Sequence, residues 1–97
     1  MGHLNYGNGA RFTFDDRLLT HLRTVILAKL NLQESLVFTW SDDQQQHSIW
    51  LHPSVPVHFE FDERSTDELN PAWIEQLLAF ANSQGGLRLV EEPPQPS

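Results

Sequence analysis

The stretch SIWLHPSVPVHFEF, residues 48–61, decides how this sequence folds. Two apolar, strand-like runs flank a His-Pro-Ser-Val-Pro segment. Pro53 and Pro56 cannot donate backbone hydrogen bonds to a strand ladder, so pairing must stop there and the chain must bend. The stretch therefore predicts two strands joined by a bend, with Trp50 and His52 close to it. A chemical site built on its histidines is the alternative interpretation.

Toward the N-terminus, the sequence predicts a hairpin, a helix and another strand. Gly7-Asn8-Gly9 is a hairpin turn signal, because Gly and Asn tolerate positive φ. A helix begins at Asp15 or Asp16, where a carboxylate caps free N–H groups, and its leucines recur with a 3.6-residue period. The predicted ranges are strands 3–6 and 11–14, a helix from 15 or 16 to about 31, and a strand over 36–41.

Toward the C-terminus, a second helix has a well-marked start. Asn70 is the predicted N-cap and Pro71 the first helical residue, where its missing N–H costs nothing. An acidic, polar loop over 62–69 precedes this helix. Gly85-Gly86 predicts its end through a left-handed cap, and a last strand covers 87–90. Residues 1–90 form one predicted domain, and the Pro-rich residues 91–97 a disordered tail.

These elements define a fold class. Their order is ββαβββαβ, and helices and strands do not alternate strictly, so we predict an α+β domain. The sheet is expected to be mostly antiparallel, with the two helices packed on one face. The runs at 36–41, 48–52 and 57–61 are expected to form a three-stranded meander.

Composition limits the possible partners. Thirteen acidic residues against six basic ones give a net charge of −7, and Lys29 is the only lysine. Nucleic acid and anionic membranes attract clustered Lys and Arg, so neither is an expected partner. The absence of cysteine fits a cytoplasmic protein, and the first residues do not resemble a signal peptide.

Several segments resemble one family over nearly the whole chain. They include FDDRLLTHL, FTW, SIWLHPSVPV, LNPAWIEQLL and ANSQGGLRLV. The chain is similar to a family of small, uncharacterised actinobacterial proteins of about this length. The resemblance implies no established activity.

Some members of that family carry the name ATP-dependent DNA ligase, which would imply a role in DNA transactions. Such a ligase forms a lysyl-adenylate at a Lys-x-Asp-Gly motif. Lys29 is followed by Leu-Asn-Leu and lies inside a predicted helix. The residues therefore give ligase chemistry no support, and an accessory role in DNA transactions rests on the family label alone.

Two groups of residues in the opening region suggest chemistry. His52, His58, Glu60 and Asp62 are candidate metal ligands, because imidazole and carboxylate suit zinc or manganese. Their spacing matches no established ligand motif, and such residues are ordinary on a solvated strand face. Ser54 beside His52 suggests a nucleophile and base, but Ser between prolines is normal turn chemistry. We assign no catalytic residue, no metal and no cofactor.

The tryptophans are more informative. Trp73 falls on the apolar face of the second helix and is a predicted core residue, whereas the strands that carry Trp40 and Trp50 have apolar residues at both parities. A half-buried strand would be polar at one parity. Both faces of the sheet therefore carry apolar side chains that must be packed against something. At least one of these two tryptophans should therefore lie on a contact surface. The predicted interaction surface consists of Trp40, Trp50, His52, Pro53 and Pro56.

The sequence thus favours a non-enzymatic module for protein–protein contact or self-association. We expect a homodimer that covers the sheet face opposite the helices, and a further, unknown protein partner is compatible with it. The loop over 62–69 or the N-terminal hairpin could instead fold over that face. The alternative function is a small-molecule or metal-binding domain, or a minor hydrolase, using the His52–Asp62 region.

Overall fold

The predicted fold class and element order are present in the structure, a computed structural model that describes residues 1–62 and 68–94. Neither described helix is long and apolar enough to cross a lipid bilayer. Most of the loop predicted over 62–69 lies outside the described residues. The strands are β1 (Gly2–Tyr6), β2 (Ala10–Phe14), β3 (Leu36–Ser41), β4 (Gln46–Leu51), β5 (Val57–Phe61) and β6 (Leu87–Arg88), and the helices are α1 (Asp16–Asn31) and α2 (Pro71–Ala81).

The six strands are divided between two sheets, where the sequence suggested one. Sheet A has the order β2-β1-β5 and is antiparallel, and sheet B has the order β4-β3-β6. In sheet B, β3 and β4 are antiparallel, whereas β3 and the two-residue β6 are parallel.

The predicted meander is therefore wrong at its third strand, because β5 pairs with β1 and not with β4. The bend between the prolines explains the change. The Val55 amide donates to the His52 carbonyl at 3.0 Å and turns the chain, and the Gly7 amide donates to the Pro56 carbonyl at 3.0 Å. The second bond joins the start of β5 to the β1–β2 turn, which aligns β5 beside β1.

One hydrophobic core is shared by both sheets and both helices. Helix α1 contacts β1 and β5 of sheet A, α2 contacts β3 and β6 of sheet B, and the helices contact each other. Aromatic rings join the sheets: Phe14 lies 6.0 Å from Phe38 and 5.3 Å from Trp40, measured between ring centroids. Both the N-terminal hairpin and α2 therefore pack on the same, inner side of sheet B.

Local signals fixed the helix starts correctly and one helix end wrongly. Asp15 caps α1 by accepting from the Arg17 and Leu18 amides, and Asn70 caps α2 by accepting from the Ala72 amide. Helix α2 ends at Ala81 with Asn82 as its cap, so Gly85-Gly86 does not end it. The positive φ of Gly86, 80°, serves instead to turn the chain into β6.

The C-terminal residues 90–93 lie against the start of both helices. The Arg17 guanidinium binds both carboxylate oxygens of Glu92, at 2.7 and 2.5 Å, and the Asn70 side chain donates to Glu92 and to the Pro93 carbonyl. These two partners, Arg17 first, lower the pKa of Glu92 to about 2. Residues 95–97 lie outside the described residues, and the disordered tail over 91–97 stays a prediction.

Candidate functional site

The outer face of sheet B is the surface that packs against neither helix. Trp50 is 58% exposed and its cross-strand partner Val37 is 42% exposed, so the two side chains form an apolar pair in solvent. Thr39 and Ser48 are the next cross-strand pair, and their hydroxyls hydrogen-bond at 2.8 Å. We call this surface the Trp50 face; its members are Val37, Thr39, Ser41, Gln46, Ser48, Trp50 and Arg88.

The backbone at Trp50 is anchored to sheet A, and the indole contacts one neighbouring ring. The Tyr6 hydroxyl donates to the Trp50 carbonyl at 2.5 Å and accepts from the His52 amide at 3.1 Å. The His52 ring lies 4.8 Å from the indole, between centroids. Tyr6 thus joins sheet A to the end of β4 and occupies the backbone edge there, which discourages edge-to-edge pairing at that point.

The structure separates the two tryptophans that the sequence left unresolved. On β3, Leu36, Phe38 and Trp40 point inward, and Trp40 is only 8% exposed. Trp40 therefore belongs to the core, because β2 and its phenylalanines cover that side of sheet B. Of the other predicted surface residues, Trp50 is exposed on β4, while His52, Pro53 and Pro56 lie in the bend that follows it.

The charge distribution sets the Trp50 face apart. The chain carries a net charge of −7, yet this face contains no acidic residue and one basic residue, Arg88. Its remaining side chains are apolar, hydroxyl or amide. The face is therefore a neutral to weakly positive area on an acidic protein.

Three of the four candidate metal ligands from the sequence have separate partners, and the fourth, His58, is exposed on β5. Glu60 accepts from the Asn5 side-chain amide at 2.5 Å, and the Asp62 carboxylate lies 3.0 Å from the Met1 ammonium group. His52 accepts from the Ser54 amide at 3.0 Å, so Ser54 contacts it through its backbone and not through its hydroxyl. Within residues 1–62 and 68–94, no three His, Asp or Glu side chains form a group that could hold a metal ion.

Lys29, the lysine that ligase chemistry would require, is a buried structural residue. It is 9% exposed, and its ammonium group donates to Glu34 and to the side chain of Asn82. These bonds tie the end of α1 to the end of α2.

A second polar group, formed by Asp42 and His47, was missed by the sequence analysis. From composition alone, the run from Asp42 to Gln46 between two predicted strands predicts only a polar, mobile loop tip. The Asp42 carboxylate accepts from the Gln44 and Gln45 amides at 2.9 and 2.7 Å, and its other oxygen lies 2.9 Å from His47 Nε2. The His47 ring also stacks on Trp40, with centroids 5.0 Å apart. The available signal was an Asp followed by polar residues between two strands, which is typical of an Asx turn.

This arrangement gives a pH prediction. The Gln44 amide, then the His47 side chain, then the Gln45 amide lower the pKa of Asp42 from 3.8 to about 2. Because the folded-state pKa lies below the ordinary value, ionised Asp42 stabilises the loop above about pH 3.8, and this contribution is lost as the pH falls through about 2. A carboxyl NMR titration should give a pKa near 2. His47→Ala should raise this pKa but leave it below 3.8, since both amide donors remain. An Asp42 pKa that does not respond to His47→Ala would contradict the pairing.

The fold and its surfaces define a small α+β domain of two three-stranded sheets and two helices, with one neutral face centred on an exposed tryptophan. The chain belongs to the family described as a domain of unknown function, DUF7882, whose model matches residues 1–92. No curated protein and no solved structure shows significant similarity to the chain.

Proposed function

We propose that this protein is a non-enzymatic contact module that self-associates into a homodimer through the Trp50 face. The observation that carries the proposal is the exposure of Trp50 at a position where its backbone is hydrogen-bonded and its ring contacts His52. A tryptophan side chain has only two χ angles, so it loses little conformational entropy on binding. Aromatic residues are also enriched at interface cores.

The charge distribution is compatible with a second copy as the partner and gives a nucleic acid no cluster of basic residues to bind. Two chains that each carry −7 repel one another over most approaches. The Trp50 face lacks acidic residues, so two copies that meet face to face keep their negative charges apart. A two-fold arrangement that pairs identical patches is the commonest solution for such surfaces.

The size of the face limits the affinity. The two six-residue strands β3 and β4 cover about 20 Å by about 10 Å, and the two-residue β6 adds little. This area is small beside the roughly 800 Å² that each partner buries in a standard interface. We therefore expect a dissociation constant of about 10–100 μM rather than a permanent dimer.

Replacing Trp50 by aspartate should abolish dimerisation, because it removes the central apolar anchor and adds a charge to a desolvated contact. Sedimentation velocity from about 5 to about 300 μM spans the expected dissociation constant. The wild-type chain should shift from 11.2 kDa toward twice that mass, and Trp50→Asp should stay at 11.2 kDa. Circular dichroism should be unchanged, because Trp50 lies outside the core.

Leu32→Asp is the matched control. Leu32 is also a large exposed apolar residue, but it lies at the end of α1 and not on the Trp50 face. This variant should dimerise like the wild type. Because like charges oppose association, raising the salt from about 20 to about 200 mM should strengthen the dimer. A wild-type mass of 11.2 kDa at every concentration, or a dimer that tolerates Trp50→Asp, would refute the proposed interface.

A further inference from the structure

A cleft of about 450 Å³ lies between β2 and the β3–β4 hairpin, on the other side of Trp40 from the Trp50 face. Its walls come from both sheets. Residues Arg11 to Asp15 form one wall, and Trp40, Asp42 and His47 form most of the other. The cleft thus marks the place where sheet A and sheet B approach each other without joining.

The contribution of β2 shows which part of that strand lines the cleft. Four consecutive residues of β2, 11–14, line it, and so does Asp15 directly after the strand, although successive side chains of a strand point to opposite faces. A cavity that contacts every residue in turn must run along the backbone edge of the strand. In the described part of the chain β2 is an outer strand of sheet A, paired only with β1. Alternate residues of β2 therefore present N–H and C=O groups to the cleft without a partner strand.

The floor of the cleft is aromatic and tightly packed. Phe12 meets Trp40 edge to face with centroids 4.9 Å apart, and His47 stacks on Trp40 with the ring planes 19° apart. The pairing of His47 with Asp42 fixes the imidazole from its other side. These rings form a rigid apolar surface next to the backbone edge.

The charged groups that line the cleft differ in whether they have hydrogen-bond partners. The Asp15 carboxylate caps α1, and Asp42 accepts from two amides and contacts His47. Arg11, by contrast, is exposed and forms no hydrogen bond or salt bridge with any residue in the described ranges. Its positive charge acts through space on the Asp62 carboxylate, which does not line the cleft. The Met1 ammonium group, which also lines the cleft, pairs with Asp16 and Asp62. Arg11 is therefore a cation of the cleft wall that remains available to a carboxylate.

We propose that this cleft binds an extended peptide segment of a partner protein, which adds a strand to the free edge of β2. Backbone groups of the peptide pair with β2, an apolar side chain covers the ring surface of Phe12, Trp40 and His47, and a peptide carboxylate pairs with Arg11. Free edge groups specify an extended backbone as the occupant, because only another strand satisfies alternate donors and acceptors along one line. The proposal is independent of the Trp50 face, since no residue of that face except Ser41 lines the cleft.

The test uses the full chain, immobilised, to select binders from a random ten-residue peptide library. Selected peptides should share an apolar residue near an acidic one. Arg11→Glu should weaken their binding at least about tenfold, whereas Arg88→Glu, the same change on the Trp50 face, should leave it within about twofold. Each selected peptide is also made with alternate backbone nitrogens methylated, in both alternations. One alternation should lose at least about tenfold in affinity, because it blocks the edge pairing.

Amide hydrogen exchange gives the second readout, since peptide binding should protect amides within residues 11–15 and not those of β4. Three results would overturn the proposal: no enriched peptides, binders that tolerate Arg11→Glu, or binders that tolerate both methylation patterns. Binders that respond only to Trp50→Asp would also overturn it, because they would place peptide binding on the Trp50 face.

Discussion

Replacing Gly86 by alanine is expected to lower the free energy of unfolding by about 2–5 kcal/mol. Gly86 has φ of 80°, where a side chain is strained, and a Cβ atom there would lie 2.5 Å from the Val37 carbonyl oxygen. The Cβ atom is fixed to the Gly86 backbone and the oxygen belongs to the Val37 backbone. Relieving the clash would therefore separate β6 from β3, which these backbone segments hold together. Urea unfolding followed by circular dichroism would measure the loss.

Gly85→Ala is the adjacent control. A Cβ atom at Gly85 meets only the guanidinium of Arg88, at 3.3 Å, which is the mobile end of a long side chain. This variant should change the free energy of unfolding by less than about 1 kcal/mol. If both glycine variants had the same stability, the close approach of Gly86 to Val37 could not be what requires glycine.

Asn70→Ala should have the second large effect, a loss of about 2–4 kcal/mol. A helix cap alone predicts about 1 kcal/mol. In the structure Asn70 is fully buried, and its side chain forms three hydrogen bonds: it caps α2 through the Ala72 amide, and it donates to Glu92 and to the Pro93 carbonyl. Alanine would remove all of these bonds and leave buried groups without partners.

Asn70→Ser separates the two contributions. Serine also caps helices, so it should retain the bond to the Ala72 amide but lose the donors to Glu92 and Pro93. Its stability should lie between those of the wild type and Asn70→Ala, in urea unfolding measured on all three chains. Equal stability of Asn70→Ser and Asn70→Ala would mean that the cap contributes nothing and that the C-terminal contacts account for the whole loss.

The sequence predicted what is decided locally. Asp15, Asn70 and Pro71 marked the helix starts correctly, because capping depends on residues within one turn. The helix end was wrong because Gly86 satisfies a tertiary demand: its missing Cβ makes room for the Val37 carbonyl across the parallel pair. That approach depends on a strand nearly fifty positions away, and no local pattern reports it.

The candidate sites show the same difference between local signals and long-range contacts. The sequence indicated an exposed tryptophan but could not choose between Trp40 and Trp50, since the choice depends on which side of sheet B the N-terminal hairpin covers. The Asp42–His47 pair and the cleft require the approach of β2 to the β3–β4 hairpin. Spacing along the chain carries no information about that approach.

The pairing of β1 with β5 has a consequence for how the chain folds during synthesis. Asn5 and Glu60, bonded across these strands, are 55 residues apart in the sequence. Until β5 has emerged from the ribosome, β1 and β2 form only an isolated hairpin, which is marginally stable in water. The β3–β4 hairpin, closed by a four-residue turn, can form before β5 has been synthesised. Its inner aromatic side is covered only when the β1–β2 hairpin packs against it. The nascent domain therefore exposes Trp40 and Phe38 until late in translation, and this interval is when the chain is most vulnerable to aggregation.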